Sequence, residues 1–186
     1  VVGPGGDEVY YPREVIIKGM DILWAPWRSS YVENVDNIES CFLCNAISQP
    51  EERWRDVLVL HKSSESFIIL NKYPYNSGHL MIVPIKHTGN YEELSENTIL
   101  DMDRLLRLSL RALKEVFKPH GFNIGYNIGR PAGAGLESHI HMHVVPRWNG
   151  DTNFMPVIAH TKVISQNLLS TYDRLKEALS SLLTNM

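Results

Sequence analysis

The chain is poor in cysteine, in long apolar runs and in surplus positive charge. Two cysteines, Cys41 and Cys44, among 186 residues exclude a disulfide framework, and a chain of this length buries a core without one. No apolar run approaches the roughly 20 residues of a membrane span. The opening stretch VVGPGGDEVYYPREVIIKGMD lacks the basic and apolar regions of a secretory signal. The expectation is a cytoplasmic protein without a membrane partner. A net charge of -3 offers no broad basic surface for a nucleic acid polymer, though it leaves room for a small anion held by a local field. Internal repeats and low-complexity segments are also missing. What is there, 44% hydrophobic and 21% charged residues, is the composition of an ordinary globular domain.

Residues 1–20, rich in glycine, proline and charge, read as an N-terminal arm, and residues 21–186 as a single domain. The segment DILWAPWRSSYVENV reads as an apolar strap. VLVLHKS and SFIILNKYPYNSGHLMIVPIKH carry β-branched and aromatic runs broken by a turn around Pro74, Asn76 and Gly78, so they read as strands. Between residues 95 and 117, Ile99, Met102, Leu105, Leu106, Leu110 and Leu113 recur at helical spacing. Ser95 or Asn97 caps that helix, and Pro119 and Gly121 stop it. GFNIGYNIG reads as a strand whose glycines point to close backbone approach, RPAGAGLES as a loop, and residues 165–183 as a second long helix. Strands, helix, strands, helix predict an α+β domain with a mainly antiparallel sheet and two main helices.

The stretch ESHIHMHVVPRW, residues 137–148, within which HIHMHVVPRW reads as the final central strand, sets His139, His141 and His143 at every second position. Alternation puts them on one face and Ile140, Met142 and Val144 on the other. Imidazoles this close repel when charged and need partners when neutral, so a satisfied wet sheet face explains them poorly. Histidine serves as nucleophile, as general acid or base, or as metal ligand. The preceding loop holds glycines whose backbone N–H groups suit phosphate oxygens. The C-x-x-C pair at Cys41 and Cys44 is half a zinc site, a redox pair or two small core residues. The redox reading wants a thioredoxin-like βαβ unit, which is not legible here. Zinc wants two more nitrogen or sulfur ligands, and His87 and one of the strand histidines are available.

NKYPYNSGHLMIVPIKH, followed by NIGRPAGAGLESHIHMHVVPRWNGDTNFMPV, closely resembles the histidine triad (HIT) family. The likeness is greatest to its bacterial branch of diadenosine tetraphosphate phosphorylases and hydrolases. The resemblance covers residues from about Leu23 to the C-terminal helix. It implies a HIT-like α+β fold that pairs into a homodimer, and nucleotidyl transfer through a covalent nucleotidyl-histidine. It implies a dinucleoside polyphosphate substrate, with phosphorolysis favoured over hydrolysis. By position, His141 would be the nucleophile and His143 the phosphate-side donor. Asn71 would face the ribose, Asn127 the phosphate, and His79 would support the triad from the neighbouring strand. Gly133, Gly135 and Ser138 would contact phosphate, and Trp148 would cover the nucleotide or pack. Cys41, Cys44, His87 and His139 match the zinc ligands of metal-bearing relatives, which implies structural Zn2+.

One position departs from the pattern. Many relatives carry Ser or Thr three residues before the first histidine, where this chain has Leu136, and the nearby hydroxyl is Ser138. That departure weakens a phosphoramidate-hydrolase reading. Uridylyl transfer between sugar phosphates fits less well, because the strand continues through MHVVPRW. A non-catalytic nucleotide-binding module is the alternative outside enzymes. His61, His120 and His160 read as surface or turn residues, and Lys72, Lys86, Arg130 and Arg147 as solvated cations able to complement phosphate.

Overall fold

The computed structural model describes residues 41–152 and 166–184, so the arm, the apolar strap and His160 lie outside the described residues. Strands β1 (Val59–Lys62), β2 (Ser66–Leu70), β3 (Leu80–Pro84), β4 (Gly121–Tyr126) and β5 (Met142–Arg147) form one sheet in the order β1-β2-β3-β5-β4. Every neighbouring pair is antiparallel. Every residue of β2 and β3 is buried. Side chains alternate along a strand, so both faces of the sheet centre are covered. The predicted α+β class and antiparallel sheet are what the structure shows.

The long helix α3 spans Glu96–Phe117, and its Ser95 hydroxyl accepts the Thr98 N–H at 3.1 Å as an N-cap. It ends where Lys118 turns left-handed at φ 48, one residue before proline. Its apolar face packs on β2 and β3. Asp101 on that face is buried, and its carboxylate accepts the Glu65 N–H at 3.2 Å and the Ser63 hydroxyl. Those bonds pin the β1–β2 turn and satisfy an otherwise costly buried charge. The last helix α4, Leu168–Thr184, packs on β1 and α3. Its Tyr172 hydroxyl donates to Val59 O and its Lys176 ammonium to Leu60 O, covering one edge of the sheet.

The structure departs from the sequence expectations in three places. Residues 41–57, of which only Val57 was assigned to an element, in the strand reading VLVLHKS, contain helix α1 (Phe42–Ile47), a 3-10 turn (Glu51–Arg53) and the short helix α2 (Trp54–Val57). The final strand begins at Met142 rather than at His139. The backbone before it is taken by other partners, since the Ile140 N–H donates to Thr88 O at 2.7 Å. Third, a Cβ on Gly121 or Gly125 would meet nothing within 4 Å, so among the described residues no group approaches those glycines closely. Gly125 pairs across from His143, and its missing side chain leaves open space beside that imidazole.

Close approach is instead the business of Gly89, where a Cβ would collide with the backbone oxygen of Glu137. This contact seats the loop carrying His87 against the segment leading into His139. Gly89→Ala forces the two backbones apart. Overpacking of this kind costs about 1–3 kcal/mol, so a melting temperature about 5 °C lower is expected in a thermal scan. An unchanged melting temperature would show that the two loops are not held in contact.

Candidate active site

The histidines sit where β3 and β5 run side by side, with Met81 paired to His143. His79 is fully buried immediately before β3, and His139, His141 and His143 are all buried within or just before β5. Hydrogen-bond partners dictate where His141, His79 and His143 each carry the ring proton. His141 Nδ1 lies 2.9 Å from the carbonyl oxygen of His139; a carbonyl only accepts, so Nδ1 carries the hydrogen. The lone pair of His141 is therefore on Nε2. The Tyr75 backbone N–H donates to His79 Nδ1 at 3.0 Å, which places the His79 hydrogen on Nε2. From there it is donated to His143 Nδ1, 3.0 Å away. That bond makes His143 Nε2 an N–H donor. Backbone geometry thus sets one imidazole as an electron-pair donor and its neighbour as a proton donor, their ring centroids 4.9 Å apart.

The same burial keeps the group neutral. His79 is pushed down to about 3 by burial and by the charges of His143 and His141. His143 is pushed down to about 4, mainly by burial and then by His141. His141 is also lowered by burial, against the opposing pull of the His139 carbonyl. An imidazole held neutral in the fold, with an unfolded value of 6.5, takes up a proton on unfolding between its two values. Stability is then fully present above about pH 6.5 and is lost as the pH falls towards 4. Urea unfolding should show a loss of up to about 1.4 kcal/mol per pH unit for each proton taken up. A stability that stays flat from pH 7 to pH 5 would refute the neutral assignment of His79 and His143.

The second cluster joins Cys41, Cys44, His87 and His139. One ligand atom from each residue lies within 4.8 Å of the others. His139 Nδ1 is 3.3 Å from the Cys41 sulfur and 3.4 Å from the Cys44 sulfur, and His87 Nδ1 is 3.2 Å from the Cys44 sulfur. These spacings match the edges of a tetrahedron around a metal with N and S ligands, roughly 3.5 Å for bonds of about 2.0–2.3 Å. His139 Nε2 donates to Pro84 O at 2.9 Å, so its Nδ1 lone pair faces the sulfurs, as in a metal-bound imidazole whose other nitrogen is held by a carbonyl. Burial, and then Cys41, push the Cys44 thiol up to about 11. A bound dication reverses that balance and holds coordinating thiols as thiolates. The donor set fits a tetrahedral metal.

The remaining expected site residues divide. The Asn127 amide nitrogen is 3.5 Å from His143 Nε2 and donates to Gly133 O at 3.4 Å. Asn71 accepts the Tyr73 N–H at 2.9 Å, and its amide nitrogen is 3.4 Å from His79 Nδ1. Gly133 is a left-handed turn residue at φ +92, and its N–H donates to Arg130 O at 2.9 Å. That amide bonds within the loop. Gly135 is exposed and Ser138 half-buried in the following segment, while Leu136 belongs to the core. Trp148 stands beyond the far end of β5, on the order of 20 Å along the chain from His141. Its indole N–H donates to Phe117 O at 3.3 Å, closing the end of α3, so within one copy of the chain it packs rather than covers the histidines.

The surface cations are engaged internally. Arg130 pairs with Glu137 at 2.8 Å, Arg147 with Asp151 at 2.6 Å, and Lys86 donates to Glu93 O at 2.9 Å. The Lys72 ammonium lies 5.9 Å from the Tyr73 ring centre. His120 accepts the Asn149 N–H at 2.9 Å as a turn residue, and His61 is half-buried on β1. Tyr75 and Gly89 were not legible as site residues. One contributes a backbone N–H and the other an absent side chain, and neither leaves a motif.

A family model described as HIT domain matches residues 54–150. The chain is 37% identical over 154 residues to AP-4-A phosphorylase of Mycobacterium tuberculosis, covering 80% of this chain and 79% of that protein. It is 31% identical over 91 residues to bis(5'-adenosyl)-triphosphatase of Saccharomyces cerevisiae, covering 48% of this chain and 44% of that one. Among solved structures, a zinc-bound histidine triad family protein from Mycobacterium smegmatis superposes with a TM-score of 0.62 at 26% identity. That match covers 80% of this chain and 99% of the other. No helix among the described residues is long and apolar enough to cross a membrane.

Proposed function

The chain belongs to the HIT domain family, and from that premise we propose that it transfers a nucleoside monophosphate group from a dinucleoside polyphosphate, with diadenosine tetraphosphate as the representative substrate. The observation that carries the reading is the His141 Nδ1–H bond to the His139 carbonyl, which leaves the Nε2 lone pair as a nucleophile at neutral pH. In the first step Nε2 attacks the α-phosphorus and the bond to the bridging oxygen breaks. The nucleoside polyphosphate leaves with the bonding pair, and a nucleotidyl-His141 remains. The His139 carbonyl stabilises the positive charge that develops on the imidazole.

His143 Nε2–H and the Asn127 amide, 3.5 Å apart, are two donors that one phosphate oxygen satisfies together. Asn71 orients the ribose, and Gly135 and Ser138 bound the phosphate from the loop. In the second step an acceptor oxygen displaces His141 and regenerates the neutral imidazole. Inorganic phosphate as acceptor releases a nucleoside diphosphate and water a monophosphate, and phosphorolysis is the favoured outcome. The similarity to AP-4-A phosphorylase supports that order. Cys41, Cys44, His87 and His139 would hold a structural Zn2+, which when bound fixes the backbone that orients His141. The sheet edge at β4, with Ile124 45% and Ile128 55% exposed, supports pairing into a homodimer.

Turnover of diadenosine tetraphosphate with and without inorganic phosphate tests the reading. Phosphate-dependent release of ADP is expected. Phosphate-independent AMP and ATP would replace phosphorolysis by hydrolysis, and no turnover under either condition would refute both.

A further inference from the structure

The turn between β2 and β3 places one aromatic ring in an odd position. Tyr75 remains 41% exposed, yet its ring centroid lies 4.7 Å from that of His79 and 5.6 Å from that of His143, tilted by 38° and 31°. The backbone N–H of the same residue is the donor that sets the His79 tautomer, at 3.0 Å. One face of the ring thus lies over two imidazoles whose mutual hydrogen bond is 3.0 Å long, while the side chain keeps substantial solvent contact. A surface tyrosine with only a packing role needs no such registry with two buried histidines.

We propose that Tyr75 is a positioning residue whose ring closes the solvent side of the His79–His143 pair and holds His143 in the tautomer with its hydrogen on Nε2. The inference rests on the reading of His143 as the phosphate-side donor. The physics is local. A hydrogen bond between neutral imidazoles is weakened by competing water and strengthened by its exclusion. An imidazole ring also turns about its terminal torsion unless neighbours restrain it, because that torsion is broad. Tyr75 supplies both restraints, and its aromatic face suits the polarised N–H edges beside it. The other groups facing the pair are His141 from the β5 side, and the Asn71 and Asn127 amides.

The test uses the full-length protein with histidine ring nitrogens labelled, read by long-range 15N–1H NMR at pH 7.5 and by steady-state kinetics on diadenosine tetraphosphate. In the wild type His79 and His143 should each show a single Nε2–H tautomer. Tyr75→Ala should leave His143 as a tautomer mixture and lower kcat about 10- to 100-fold, the cost of a misplaced catalytic group. KM should stay within about threefold, since the interaction lost belongs to the transition state. Both variants keep the backbone N–H to His79, and Tyr75→Phe also keeps the ring, so it should restore both readouts. A single His143 tautomer in Tyr75→Ala would overturn the proposal. So would a raised KM with kcat unchanged, which would make the ring a substrate platform, or a Tyr75→Phe variant as impaired as Tyr75→Ala. If the wild type turns over no dinucleoside polyphosphate, the functional reading fails, and the tautomer comparison still decides the role of Tyr75.

Discussion

His141→Ala is expected to lower turnover of diadenosine tetraphosphate by at least about 10^4-fold, on the scale seen when a covalent nucleophile is removed. The folded protein should survive the change, because His141 contributes one side-chain hydrogen bond, to its own neighbourhood at His139 O. His143→Ala should cost less, about 10^2- to 10^3-fold, as for one lost donor to a developing charge. The order follows from the tautomers: only His141 presents an unprotonated Nε2, while His143 Nδ1 is occupied by His79 at 3.0 Å. Single-turnover kinetics on both variants separates these outcomes. Equal losses would place the two histidines in one joint role, and a larger loss at His143 would reverse the assignment.

The second large effect is expected at the metal cluster. Cys41→Ser removes a sulfur ligand from a residue 2% exposed at the start of α1. A structural zinc is worth on the order of 10 kcal/mol in peptides that fold only around it. Here the sheet and two helices supply a core of their own, so a smaller share, about 3–5 kcal/mol, is expected. For a chain of this size that is a fall of about 10 °C or more in melting temperature. Elemental analysis should find close to one zinc per wild-type chain and little in the variant. Activity should fall with stability, because His139 joins the two clusters. Its Nδ1 faces the sulfurs while its carbonyl sets the His141 tautomer. A wild type without zinc, or a variant with an unchanged melting temperature, would remove the metal from the account.

Much of this was legible in the sequence where the signal is periodic or chemical. The long helix came out to within a residue because Ser95 caps it and Lys118–Pro119 ends it. Residue chemistry offered Cys41, Cys44, His87 and one strand histidine as ligands, the family resemblance implied His139 as the fourth, and the structure brings these four residues together. Helix α1 was missed because six residues, FLCNAI, are too few to show a 3.6-residue period. The start of β5 was misplaced because alternation of residue types continues through His139 and His141 although the Ile140 N–H between them bonds to Thr88 O. For Trp148 the sequence left a nucleotide lid and a packing role side by side, and its N–H closes the end of a helix. Residue type shows that a loop is glycine-rich, not which way its amides point, and the Gly133 N–H bonds to Arg130 O. Tyr75 and Gly89 act through a backbone N–H, a ring face and an absent Cβ, none of which a sequence pattern exposes.

The central claim is a covalent bond to one nitrogen. Wild-type protein mixed briefly with diadenosine tetraphosphate in the absence of inorganic phosphate, quenched in base and read by intact-protein and peptide mass spectrometry, tests it directly. The account predicts a mass increase of one adenylyl group, located on His141, acid-labile and discharged as ADP when phosphate is added. Turnover without any adduct, or an adduct on a residue other than His141, would contradict it.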